Sequence, residues 1–109
     1  MNEAQRSEES GDEGANLTVL LYLKLQERYS DMAKGLPTEN RINDLMEQVV
    51  KNCLIWPDDK TGRWTGYVQC LLIEVERKTT VDIERDFTRP LYHQLYKAKG
   101  YEAPESVKI

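Results

Sequence analysis

Apolar positions recur every three to four residues along several stretches of this chain, and no stretch shows the two-residue alternation of a half-buried strand. The first stretch predicts a helix from Leu17 to Lys34, with Asn16 as its N-cap. Gly35 followed by Leu36-Pro37 predicts its stop, because glycine takes the left-handed conformation and proline prevents continuation. Leu17, Leu21, Leu25, Tyr29 and Met32 share one face of this helix, while Val19, Leu20 and Leu23 point elsewhere. Its first half is therefore apolar on nearly all sides and needs either a central position or a covering partner.

A second helix is expected from Thr38, an N-cap followed by Glu39 in the first turn. Ile42, Leu45, Met46, Val49, Val50 and Cys53 fill one face without a miss, and Asn43, Asp44, Glu47, Gln48 and Lys51 form a polar back. Pro57-Asp58-Asp59 reads as a turn. A third helix is expected to begin between Asp59 and Arg63 and to run to about Lys78. Trp64, Tyr67, Val68, Leu71, Leu72 and Val75 would form its core stripe, with Gly66, Cys70 and Ile73 as a second, weaker apolar strip. Thr79 or Thr80 would cap the next helix, which Pro90 is expected to break near Thr88-Arg89. A final helix would turn Leu91, Tyr92, Leu95 and Tyr96 inward and end at Gly100. These elements predict an all-α fold, a small bundle of four to five helices with short connections.

Charge divides the chain unevenly. Of 19 acids and 15 bases, five acids and one base fall in residues 1–14, so the remainder is balanced. Residues 1–15 hold no large apolar side chain after Met1, and such a segment cannot bury enough surface to offset its ordering entropy. The expected organisation is a disordered acidic tail (1–15), a helical domain (16–100) and an extended C-terminal tail (101–109). Balanced charge in the helical domain, without a basic stripe, argues against binding to a phosphate backbone. No apolar run is long enough for a transmembrane helix, and nothing resembles a secretory leader. Cys53 and Cys70 read as unbridged thiols in a reducing cytoplasm.

Chemistry-bearing residues are sparse. His93 and two cysteines have neither the number nor the spacing of a zinc site, and no cofactor motif is visible. Lys60-Thr61-Gly62 matches a box of penicillin-binding enzymes, but the Ser-x-x-Lys nucleophile that must accompany it is missing, so a turn is expected there. Asp82 and Asp86 could face one way, yet Arg85 and Arg89 stand among them as ion-pair partners, which favours a solvated surface over a metal site. No catalytic residue is therefore assigned. Trp56 and Arg63 bracket the Pro57 turn, and aromatic residues beside arginine are frequent anchors of protein interfaces.

The densest segment is Arg85-Asp86-Phe87-Thr88-Arg89-Pro90-Leu91-Tyr92-His93. Together with Gly66-Tyr67-Val68-Gln69 upstream, its Glu-Arg-Asp…Thr-Arg-Pro…His pattern resembles a stretch of small uncharacterised accessory proteins of bacteriophages and prophages. The resemblance covers the C-terminal half and implies a phage accessory protein, without bringing an activity or site residues.

The functional expectation is a helical protein–protein interaction module, self-associating and acting on a host protein in the host cytoplasm. Trp56, Arg63, Asp86, Arg89, Tyr92 and His93 are the candidate partner-binding residues, and Val19, Leu20, Leu23 and Ile73 the candidate self-association residues. One rival is a ligand or nucleotide site formed between subunits from Asp82, Asp86, Arg89 and His93. Another is a DNA-binding regulator using the second and third helices as a helix-turn-helix, for which the connection is too long and the basic face is missing.

Overall fold

The computed structural model describes the backbone of residues 3–100 and the side chains of residues 14–100. Four α-helices follow one another: α1 (Glu3–Ala33), α2 (Glu39–Asn52), α3 (Asp58–Cys70) and α4 (Val81–Lys99). A π-helical turn, Leu71–Val75, prolongs α3. No strand occurs among the described residues, and the fold is an all-α bundle. Residues 1–2 and 101–109 and the side chains of 3–13 lie outside the described residues. The expected C-terminal tail falls there, while the expected N-terminal tail overlaps the first turns of α1, whose backbone is described from Glu3.

Helix α1 takes the central position that its apolar surface called for, with α2 on one flank and α4 on the other. Helix α3 packs on α2, and the π-helical turn returns to α1. Leu21, Leu25, Tyr29 and Ala33 of α1 meet Ile42, Met46 and Val49 of α2, Val68, Leu71 and Leu72 of the third segment, and Leu95 of α4. Full burial of each large apolar side chain contributes about 1.5–3 kcal/mol, so this cluster dominates the stability of the bundle.

Both glycine stops act as expected, Gly35 at φ 78° and Gly100 at φ 76°. Asn16 does not cap α1, because the helix already includes it and Thr18 within it donates to the Gly14 carbonyl. Thr38 precedes α2 but spends its hydroxyl elsewhere, donating to Glu76 Oε2 at 3.0 Å. Thr80 does cap α4, accepting from the Ile83 amide at 3.2 Å.

Three further expectations are corrected. Helix α3 starts at Asp58, directly after Pro57, so Lys60-Thr61-Gly62 lies in its first turns rather than in a turn before it. Asp58 and Asp59 in that first turn suit the positive end of the helix dipole. The inner stripe of α3 and its π-helical turn is Thr61, Thr65, Val68, Leu71 and Leu72, so Val68, Leu71 and Leu72 lie inside as expected while Tyr67 and Val75 are exposed. Threonine can occupy such a face because its hydroxyl is satisfied locally: Thr61 donates to the Pro57 carbonyl and Thr65 to that of Thr61. Finally, α4 runs unbroken through Pro90. Pro90 and Asp86, whose carbonyl loses its partner, are both exposed, so water can take the vacant bond.

Candidate functional site

Two features stand out where α3 and α4 face each other. The first is a buried ionic cluster. Glu84 occupies the inner stripe of α4 at 3% exposure, where an isolated charge would be strongly destabilising. Arg28 of α1 meets it as a fork, Nε to Oε1 at 3.0 Å and a terminal nitrogen to Oε2 at 2.9 Å. Thr79 donates to Oε2 at 2.6 Å. The Tyr29 hydroxyl, which accepts from Gln69 Nε2 at 2.7 Å, lies beside the same carboxylate. Burial alone would push the Glu84 carboxyl up, but the donors from Arg28 and Thr79 outweigh it and hold the group below the ordinary carboxylate range. The Arg28 guanidinium also stacks on Phe87, 4.1 Å from the ring centroid.

A carboxylate so surrounded by donors is a poor proton acceptor at neutral pH. Its chemistry is that of a tie joining α1, the residue before the α4 cap, and α4. Sequence inspection passed over both Arg28 and Glu84. The available signal was a glutamate in register with Thr88, Leu91 and Leu95 on the stripe that α4 buries.

The second feature is a groove of about 430 Å³ between α3 with its π-helical turn and α4. Gly66, Cys70, Ile73, Val81, Thr88 and Tyr92 line it, with Glu74 and Arg85 on its two walls and Glu84 at its base. The half-buried Tyr92 phenol lies beside that of buried Tyr22, and desolvation pushes both up, as it does that of Tyr29.

The residues singled out from sequence fall on separate surfaces. Trp56 and Arg63 sit at the α2–α3 end, where the Trp56 and Trp64 rings pack at 4.7 Å and Lys60 Nζ lies 4.3 Å above Trp56. Arg63 is exposed. Asp82, Asp86, Arg89 and His93 follow one another at helical spacing on the strip of α4 opposite Glu84 and Leu95. Asp82 and Asp86 are exposed, Arg89 and His93 half-buried, and His93 Nδ1 finds no hydrogen-bond partner among the described residues. Tyr92 belongs to the groove instead.

Of the four self-association candidates, Leu20 and Leu23 are 52% and 42% exposed on the outer face of α1. Val19 is half-buried against the core, and Ile73 lines the groove. A second exposed apolar pair, Leu54 and Ile55, forms the α2–α3 turn. Among the described residues, no group of three or more His, Cys, Asp or Glu side chains is placed to hold a metal ion. No described helix is long and apolar enough to cross a membrane. Neither a protein-family model, nor a curated protein, nor a solved structure matches the chain.

Proposed function

We propose that this chain is a helical protein–protein interaction module that self-associates through the outer face of α1 and, as a phage accessory protein, acts on a host protein. The observation carrying the reading is the exposed apolar pair Leu20 and Leu23 on the helix that is otherwise the centre of the bundle. Two neighbouring leucines left in water on a rigid helix are a surface that association would cover. The pair Leu54 and Ile55 offers a second apolar contact at the far turn, beside the tilted Trp56–Trp64 ring pair. The host-directed part rests on the resemblance carried by residues 84–93.

Light scattering over a concentration series tests self-association directly. A dimer or larger species that Leu20→Glu with Leu23→Glu reduces to the monomer mass is the expected result. A monomer at all concentrations for the unaltered chain removes the self-association reading. Capture of one stoichiometric protein from a bacterial lysate, lost on Ile55→Asp, would support the host-directed part.

A further inference from the structure

The groove between α3 and α4 is bounded by helices that are each held from elsewhere: α2 supports α3, and α1 supports α4. Its volume of about 430 Å³ lies in the range of small-ligand sites, roughly 300–1,000 Å³. One wall contains the π-helical turn, a rare geometry that concentrates at functional sites, and Ile73 and Glu74 of that turn line the groove. On the same wall Gly66 leaves bare backbone, and a Cβ there would meet nothing within 4 Å, so the wall is flat and open at that point. Val81, 52% exposed, lines the groove from α4. A planar ring fits a slot with these walls.

The formal charges around the groove balance. Glu84 at the base is neutralised by Arg28, and Glu74 on the α3 side is matched by Arg85 on the α4 side. An ionic ligand would find no uncompensated partner here, and burying its charge would be costly. The base offers hydrogen-bond acceptors instead. Gln69 donates through Nε2 to the Tyr29 hydroxyl at 2.7 Å, which fixes its amide and leaves Oε1 with no partner among the described residues. Thr88 donates its hydroxyl hydrogen to the Glu84 carbonyl at 2.9 Å, and the Glu84 carboxylate accepts from Arg28 and Thr79. A molecule suited to this base is uncharged and brings a donor of its own.

We propose that the α3–α4 groove binds a small, flat, uncharged aromatic molecule carrying an N–H donor. Its ring lies against Gly66, Ile73 and Val81, and its N–H is directed to Gln69 Oε1. Indole is the simplest molecule of this description. The site is independent of self-association through α1, since neither Leu20 nor Leu23 lines it.

Indole is the probe, and N-methylindole is the same ring without the donor. Chemical-shift titration of the ¹⁵N-labelled full chain should show saturable binding of indole. N-methylindole should bind about tenfold more weakly, because the Gln69 carbonyl is then covered without a donor. Indole should also slow N-ethylmaleimide labelling of Cys70, which lines the groove, more than that of buried Cys53. Gly66→Leu fills the groove from within α3, where leucine is the better helix former, so the fold is kept. It should remove both indole binding and the protection of Cys70. Gln69→Met should bring the two probes to within about twofold of each other, a comparison made inside one variant and therefore indifferent to its stability. Failure of indole to saturate up to its solubility limit overturns the site, as does binding that survives Gly66→Leu. Equal affinity of the unaltered chain for the two probes overturns it too, because the donor defines the class of ligand.

Discussion

Arg28 and Glu84 lie 56 positions apart in sequence and meet through two nearly parallel hydrogen bonds of 3.0 and 2.9 Å, one of the few polar links between the central helix and α4. The pair differs from a surface ion pair in that the carboxylate is almost completely enclosed. Removing one partner leaves an uncompensated buried charge, a loss of about 3–5 kcal/mol. Arg28→Met should therefore destabilise the protein severely, and Glu84→Met added to it should recover part of the loss. Urea denaturation of the two single variants and the double variant measures the coupling. Additive losses would show that the two side chains do not act as a unit.

The same contact makes stability depend on pH in a defined direction. The folded-state value of Glu84 lies below the ordinary carboxylate value, so its contribution is present above about pH 4.3, where the unfolded group is ionised. That contribution fades as pH falls through the depressed folded value. Glu84→Gln should thus flatten the acid limb of the stability profile, bringing the variant closer to the parent as pH drops. An acid limb identical in parent and variant would contradict the assignment.

Helix α3 offers a contrast between neighbours. Val68 is completely buried, whereas Tyr67 is 41% exposed and takes a hydrogen bond from Arg41 at 2.9 Å. Val68→Ala should destabilise by about 1–3 kcal/mol through the lost methyl groups and the cavity left behind. Tyr67→Ala should change stability by less than about 1 kcal/mol, because its ring contacts and its polar link are both at the surface. Thermal melts of the two variants decide which face of α3 is inside.

That contrast also shows which parts of the fold were legible in the sequence. Helix α2 has one apolar face and a wholly polar back, so periodicity alone orients it, and Ile42, Met46, Val49 and Cys53 are buried as expected. Helix α3 has apolar residues on both sides, and the deciding residues are Thr61 and Thr65, whose hydroxyls are hidden by bonds to the preceding turn. A hydropathy pattern scores those threonines as polar and so extends the inner face to Tyr67 and Val75, although Val68, Leu71 and Leu72 lie inside as expected. The Arg28–Glu84 tie was hidden for a different reason: its partners belong to the first and last helices, and only tertiary packing brings them together. The exposed leucines of α1 were visible as an excess of apolar residues, which a helix packed on both flanks cannot fully cover.

Pro90 supplies a test of how α4 tolerates a residue that usually ends helices. The helix continues through it to Lys99, with the vacant carbonyl of Asp86 facing water. Restoring the amide with Pro90→Ala should stabilise the protein by about 1 kcal/mol, since the regained hydrogen bond exceeds the entropy that proline removes from the unfolded chain. Helical content by circular dichroism should stay the same. A large gain in helicity would mean that α4 is broken at this position in solution.

Arg77 holds the least favourable backbone conformation of the described residues that are not glycine, φ 54° in the left-handed region. The π-helical turn imposes it: the Glu76 amide reaches back to the Leu71 carbonyl at 2.9 Å and the Lys78 amide to that of Leu72 at 2.8 Å. The residue between those two amides must reverse the chain toward Thr79, whose hydroxyl then reaches Glu84. An L side chain in this conformation costs about 1 kcal/mol or more relative to glycine, which carries no Cβ to clash. Arg77→Gly should therefore raise the melting temperature, while Gly100→Ala, at the corresponding position after α4, should lower it by a comparable amount. Opposite signs for these two substitutions would locate the strain in the left-handed backbone itself, whereas a loss of stability in Arg77→Gly would show that the arginine side chain contributes more than its conformation costs.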